Sequence, residues 1–192
     1  MARKGVRQLW KDKVEGRSTG ALAVTRKLTQ RQKFSGVVLG IDPSLRGTGL
    51  AVVDFARPNN PILLHSLTLK QKPSVSLAQC LGCICEKALE LLETYPIEVV
   101  ALEQTIYVQN VRTAQILGAA RGAAIAAAAM SGREIFEYAP LRVKQAVVGV
   151  GRASKEQVGK TVRSLLGHGD LLAHDESDAA AVAITHAFTW TG

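Results

Sequence analysis

Four acidic residues stand at positions where a carboxylate can take part in chemistry. Asp42 and Glu103 each directly follow a short apolar run of the kind that forms a buried strand. Asp175 and Asp178 are three residues apart at the start of an alanine-rich segment, so they share one face if that segment is a helix. A carboxylate at the end of a buried strand is unfavourable unless a cation meets it. Four oxygen donors without a partner set of histidines or cysteines favour Mg²⁺ or Mn²⁺ over zinc.

Each of these acids also has an ordinary structural interpretation. Asp42 precedes a proline and suits the start of a turn, and Glu103 suits a satisfied polar residue at a strand end. Asp175 suits a helix N-cap, with Asp178 as a first-turn acid that the helix dipole favours. The joint pattern is harder to explain in this way, because neighbouring strands would bring their acidic ends together. Two divalent ions held by such a cluster can clamp a phosphodiester, activate a water and stabilise the leaving 3′-oxygen.

The elements that must position these acids follow from the hydrophobic pattern. Apolar runs at 37–41, 50–53 and 62–69, joined by turns at 43–49 and 58–61, predict three strands in an antiparallel meander. After them, helical and strand patterns alternate, which predicts an α/β fold with a mixed sheet flanked by helices. We expect helices over 76–95, 111–130, from 140, over 154–166 and over 175–188, and strands over 97–102 and 134–138.

Length and composition exclude several classes of protein. The chain has 192 residues and a mass of 20.5 kDa, which suits one domain or a domain with a tail. No apolar run reaches the roughly 18 residues that a membrane span needs, and no secretory signal pattern is present. We therefore expect a cytoplasmic protein without membrane association.

The net charge of +8 belongs to the N-terminal segment. Residues 1–36 hold ten Lys and Arg residues against two acidic residues, whereas the remaining 156 residues hold 14 of each. We predict a basic, flexible N-terminal arm at 1–36, followed by a folded domain at 37–192 whose charges sum to zero. Such an arm favours nucleic-acid binding through counterion release. An organelle transit peptide and an upstream start that adds unstructured sequence are the alternatives.

Five short motifs occur in order and at suitable distances, and together they resemble the RuvC family of Holliday-junction resolvases. The resemblance covers roughly residues 37–189. Each motif alone is modest, but their order and spacing are specific. The motifs are GIDP at 40–43, LEQ at 102–104, ARG at 120–122, VKQAVVG at 143–149 and DESDAAA at 175–181.

The resemblance implies a fold and an activity. The family has the ribonuclease-H-like fold, acts as a homodimer on four-way junction DNA, and uses Mg²⁺ or Mn²⁺, here expected as two ions per active site. It nicks two strands of equal polarity symmetrically across the junction. Its four acids match Asp42, Glu103, Asp175 and Asp178, and its two lysines near the scissile phosphates match Lys144 and Lys155. A branch-migration motor complex is a candidate partner.

One position departs from the family pattern. Family members often have an aromatic residue three places after the glutamate, which stacks on unpaired bases at the crossover. Here that position is Ile106, and the aromatic residue is Tyr107, one place later. We expect Tyr107 to stack on a base or to pack internally, and Ile106 to serve as an apolar wedge. Arg152 and Arg112 are further candidates for phosphate contacts.

Two other functions are consistent with parts of the sequence. A non-catalytic junction-binding protein would share the fold and the basic residues, although the intact spacing of all four acids argues against it. The segment at 40–49 also resembles the phosphate-binding turn of actin-like phosphotransferases. Those enzymes need two such domains and a second nucleotide-binding motif, for which this chain is too short.

Overall fold

The computed structural model describes residues 34–57, 60–105 and 110–191, and their centre is a five-stranded sheet. The strand order is β3-β2-β1-β4-β5. The first three strands form the predicted antiparallel meander, while β4 is parallel to β1 and β5 is parallel to β4. The strands are β1 (Val37–Asp42), β2 (Gly47–Asp54), β3 (Ile62–Lys70), β4 (Ile97–Glu103) and β5 (Glu134–Tyr138).

Helices cover both faces of the sheet and enclose a separate apolar core on each face. Two helices pack on one face and three on the other, with the last helix placed across β1, β2 and β4. This mixed, helix-flanked sheet confirms the predicted ribonuclease-H-like fold class. The helices are α1 (Leu77–Thr94) and α2 (Val111–Met130) on the first face, and α3 (Pro140–Val148), α4 (Lys155–Leu165) and α5 (His174–Thr189) on the second.

Local sequence signals set the helix boundaries. Ser76 caps the N-terminus of α1 and Ser154 caps that of α4. In each of these capping boxes the serine hydroxyl accepts a hydrogen bond from the amide of a glutamine three residues later, and the glutamine side chain accepts one from the serine amide. Proline occupies the first turn of α3, and Gly149 ends that helix at φ 88°, a left-handed conformation that favours glycine. The cap at Ser154 matters for the site, because Lys155 is the first residue of α4.

Two glycines of the central strands allow α5 to lie directly against the sheet. A Cβ atom on Gly40 would lie 2.0 Å from the carbonyl oxygen of Ala179, and one on Gly49 would lie 1.9 Å from the carbonyl oxygen of Asp175. The prediction that 47–49 belongs to a glycine turn was wrong, because β2 already begins at Gly47. Glycine is required at position 49 because a side chain there would collide with the backbone of α5, and not because of unusual dihedral angles. Turn preferences alone therefore did not predict this requirement.

The core extends slightly before β1. Phe34 is buried, and its ring centroid lies 4.7 Å from that of His186 near the end of α5. Residues 1–33, which include nearly all of the predicted basic arm, lie outside the described residues. No helix in the described part of the chain combines the length and the apolar character that a bilayer crossing requires.

Candidate active site

The carboxylates of Asp42 and Glu103 meet at one end of the sheet. β1 and β4 are parallel neighbours, and their pairing places Ile41 beside Leu102, so each acid follows directly after a paired residue. Both side chains project on the face that α5 covers, and the two carboxyl groups are hydrogen-bonded to each other. Residues that are 61 positions apart in the chain are therefore in contact, as the strand-end hypothesis predicted.

Burial raises the pKa of both carboxyl groups. For Asp42 the pKa rises to about 6, through burial first and the charge of Asp178 second. For Glu103 the pKa rises to about 8, through burial and then through the charge and hydrogen bond of Asp42. A hydrogen bond between two carboxyl groups requires a proton, which at neutral pH belongs to the pair and is held mainly by Glu103. The two carboxyl groups of the metal-free protein therefore carry less than two full negative charges between them at neutral pH.

The raised pKa values predict a pH-dependent stability for the metal-free protein. An acid whose pKa is higher in the folded chain stabilises it fully below the unfolded value, near 4.5 for Glu103, and this contribution is lost as the pH rises through about 8. Glu103→Gln should therefore raise the melting temperature in EDTA at pH 8.5 by about 2–4 °C relative to wild type, and much less at pH 4.5. Thermal unfolding at both pH values measures this difference.

The control for this prediction is Glu93→Gln, which alters an exposed acid of α1 and should change the melting temperature equally little at both pH values. Added Mg²⁺ should stabilise wild type at pH 8.5 and should stabilise Glu103→Gln less. A variant that is no more stable than wild type at pH 8.5 would contradict the account of the carboxyl pair.

Asp178 approaches the carboxyl pair from α5 and carries the nearest cation. Lys155 Nζ lies 3.0 Å from Asp178 Oδ2, and this bond raises the pKa of the lysine. The negative charge of Asp178 raises the pKa of both Asp42 and Glu103. The contact between Lys155 and Asp178 joins the start of α4 to the first turns of α5.

Asp175 lies on the same turn of α5 but faces the beginning of β2. Its Oδ2 atom is 3.2 Å from the point where a side chain on Gly47 would begin, so the absence of a side chain there leaves room for this carboxylate. Its charge also raises the pKa of Asp42, although it is the weakest of the contributing causes. The four predicted acids thus lie at the same end of the molecule, with Asp175 the least engaged.

The chemistry of these donors fits a hard divalent cation. They are carboxylate oxygens, and two of them share a proton where a cation would remove the repulsion. As the side chains stand, no group of three or more acids, histidines or cysteines in the described ranges has an arrangement that could hold a metal ion. Asp42 and Glu103, which already meet, could supply two oxygen ligands to such an ion, whereas Asp178 is paired with Lys155.

The other predicted residues are placed around this site with fewer contacts. Lys144 is half-buried on α3, Arg152 is exposed in the loop between α3 and α4, and Arg112 is exposed in the first turn of α2. Within the described residues none of the three forms a salt bridge. Ile106 and Tyr107, the predicted crossover residues, lie outside the described part of the chain.

Several neighbours of the site were not predicted. A cavity of about 170 Å³ adjoins Asp42 and Glu103, and its remaining walls come from the residues that directly follow each acid, from α2 and from the start of α3. One of these neighbours, Gln104, belongs to the motif at 102–104, but no role was predicted for it from the sequence. Besides the two acids, the cavity is lined by Pro43, Gln104, Thr105, Leu117 and Pro140.

Arg46 is a second neighbour of the site that was not predicted from the sequence. Its guanidinium donates hydrogen bonds to the carbonyl oxygens of Val75, at 3.1 Å, and of Lys72, and so joins the turn after Asp42 to the connection between β3 and α1. A lone arginine in a predicted turn gives no signal of such a role. The turn is closed further by Thr48, a buried residue whose hydroxyl donates to the carbonyl oxygen of Ser44.

The fold and the site together define a class. A mixed five-stranded sheet, with an acid at the end of each of two central parallel strands and a third acid supplied by a helix across them, is the arrangement of ribonuclease-H-like nucleases. The sequence model of the family described as "Crossover junction endodeoxyribonuclease RuvC" matches residues 38–186. The chain belongs to this family, whose members are endonucleases.

Individual relatives and solved structures support the same family assignment. The crossover junction endodeoxyribonuclease RuvC of Halorhodospira halophila is 45% identical over 150 residues, which are 78% of this chain and 89% of that protein. The structure of T. thermophilus RuvC in complex with Holliday junction substrate is 36% identical, has a TM-score of 0.75, and matches 80% of this chain and 93% of its own. The yeast mitochondrial Holliday junction resolvase Ydc2, at 12% identity and a TM-score of 0.58, shares the fold, with 88% of this chain and 85% of its own matched.

Proposed function

We propose that this protein resolves four-way DNA junctions by a pair of symmetric nicks in strands of equal polarity, in a reaction that depends on divalent metal ions. The observation that carries the proposal is the hydrogen-bonded carboxyl pair of Asp42 and Glu103, with Asp178 facing it from α5. Family membership supports the same conclusion, because the solved relative from T. thermophilus is in complex with Holliday junction substrate.

In this proposal the residues have distinct roles. Asp42, Glu103 and Asp178 hold the divalent ions, Mg²⁺ or Mn²⁺ and two per active site, and Asp175 completes the set. The ions supply an activated water and neutralise the charge that develops on the phosphate. Lys155 and Lys144 contact the phosphates that flank the cut, and the turn held by Arg46 keeps Asp42 in place.

The partners follow from the symmetry of the substrate. Two cuts in strands of equal polarity need two active sites related by a two-fold axis, so the active species is a homodimer. Exposed Arg152 and Arg112 add phosphate contacts, and Tyr107 or Ile106 meets the bases at the crossover. We further propose that the protein works in the cytoplasm and that a branch-migration motor complex delivers its substrate.

The direct test is incubation with a synthetic four-way junction that is end-labelled on each strand in turn. With Mg²⁺, we expect paired nicks at symmetric positions in two opposing strands, and no nicks in EDTA. A linear duplex of the same sequence is the control and should remain intact. Tight junction binding without nicks in either Mg²⁺ or Mn²⁺ would instead support a non-catalytic junction-binding protein.

The proposed basic arm gives a separate prediction. Removing residues 2–33 deletes ten cations and two acids, and leaves Phe34 in the core. Junction affinity should fall, and the dependence of its logarithm on the logarithm of salt concentration should become shallower by about 0.9 for each lost phosphate contact. Binding measured by fluorescence anisotropy at several salt concentrations gives this slope.

Cut positions should be unchanged in the shortened protein, because the site lies in the folded domain. A chain with the ten cations of the arm replaced by glutamine is the matched control for length, and it should show the same shallow slope. An unaltered slope in both variants would show that the arm does not touch DNA.

A further inference from the structure

Lys155 occupies a place for which a bound metal ion would compete. Its ammonium lies 3.0 Å from Asp178 Oδ2, and its charge also lowers the pKa of Asp42 and of Glu103. Among the residues that the structure describes, no other lysine or arginine forms an ion pair with any of the four acids. Within the described part of the chain, the positive charge paired with the acidic cluster is therefore that of Lys155.

The two members of this ion pair differ in how firmly they are held. The side chain of Asp178 is 18% exposed and lies on α5, which the glycine contacts fix against the sheet. The side chain of Lys155 is 70% exposed and reaches Asp178 from the solvent side on a flexible four-carbon stem. If a second cation enters the cluster, the lysine is the member of the pair that is free to move.

A divalent ion and this ammonium group cannot share the carboxylate equally. Mg²⁺ binds carboxylate oxygens at about 2.0–2.1 Å and carries twice the charge of the ammonium group. Repulsion between the two cations then favours departure of the lysine. The described side chains have the arrangement expected without a metal ion, because Asp178 is paired with Lys155 and no three acids are gathered into a metal site.

We propose that Lys155 is a place-holder for the metal: it neutralises Asp178 in the metal-free protein and is released when a divalent ion binds. The release leaves its ammonium free to contact a DNA phosphate, so metal binding prepares a DNA contact before the substrate arrives. This inference rests on the proposed function, since it takes the four acids to be the metal site.

The test uses the full chain without DNA, labelled with ¹³C at the lysine ε-carbon. The Lys155 signal is assigned by its absence in Lys155→Met. During titration with Mg²⁺ we expect this signal to move to the position that it has in Asp178→Asn, where the ion pair is already lost. The Lys144 signal should stay in place, because Lys144 forms no ion pair with a described acid.

Affinity for Mn²⁺, measured by electron paramagnetic resonance, supplies the second readout. Lys155→Met should bind Mn²⁺ about two- to fivefold more tightly than wild type, the range expected for an exposed ion pair. Lys160→Met, which removes an exposed lysine of the same helix, should bind it as wild type does. Unchanged or weaker binding by Lys155→Met would overturn the place-holder role.

The outcomes separate this inference from the function on which it rests. Saturable Mg²⁺ binding with an unmoved Lys155 signal overturns the place-holder alone, even if removing the charge strengthens Mn²⁺ binding. No saturable binding of either ion by wild type overturns the metal site and the place-holder together. A moving Lys155 signal with tighter Mn²⁺ binding in Lys155→Met supports both.

Discussion

Asp42→Asn should lose at least about 10³-fold in the rate of junction cleavage while it binds the junction as tightly as wild type. The amide has nearly the size and shape of the carboxyl group, so β1 and its contact with Glu103 survive. What disappears is the negative charge that a metal ion would meet at the end of β1. Single-turnover cleavage of a labelled junction in Mg²⁺, beside a binding titration in Ca²⁺, separates the two effects.

A matched control is Asp54→Asn, which alters another acid at a strand end. Asp54 ends β2 at the end of the sheet opposite to Asp42, where it pairs with Val37, and its Oδ1 accepts a hydrogen bond from the amide of Ala56 at 2.7 Å. This variant should cut at the wild-type rate. If Asp42→Asn cut the junction within about tenfold of wild type, the reaction would not take place at this carboxyl pair.

The second large effect is expected at a residue without a side chain. Gly40→Ala places a methyl group 2.0 Å from the carbonyl oxygen of Ala179, a distance at which backbone atoms have to move. Overpacking of this kind destabilises by about 1–3 kcal/mol or more, and each 1 kcal/mol lowers the melting temperature by about 2–4 °C. Because Ala179 adjoins Asp178, the shift of α5 should also slow cleavage, by about 100-fold for a displacement near 1 Å.

Gly82→Ala provides the comparison for Gly40→Ala. Gly82 lies inside α1, and a methyl group added to its Cα would have nothing within 4 Å, so alanine there removes flexibility from the unfolded chain without a clash. That variant should be more stable than wild type by about 0.5–1 kcal/mol. Equal melting temperatures for the two variants would show that the close contact between β1 and α5 is not a constraint.

Most of the architecture could be predicted because its signals are local. The apolar runs, the serine caps and the proline and glycine stops each act within a few residues, and they placed the strands and helices close to where the structure has them. The convergence of Asp42 with Glu103 was also predictable, because parallel neighbouring strands bring their carboxyl ends to one edge of a sheet. Only the pairing of β1 with β4 had to be assumed.

The remaining features depend on contacts between distant residues, for which the sequence carries no periodic signal. Gly49 was interpreted as a turn residue, since the contact that excludes a side chain there comes from Asp175. Arg46 holds the loop after Asp42 through carbonyl oxygens at 72 and 75, and any residue type offers a carbonyl oxygen. The lining of the cavity beside Glu103 likewise comes from four separate segments.

The distribution of the acids along the chain has a consequence for synthesis. A nascent polypeptide can pair β1 with β4 once residue 103 has emerged, but α5, which supplies Asp178 and covers one face of the sheet, is translated after all the other described elements. Until then one apolar face of the sheet is uncovered, and the carboxyl pair of Asp42 and Glu103 lacks Asp178. We therefore expect a chain that stops before residue 174 to leave this apolar face uncovered and to lack the acids at 175 and 178.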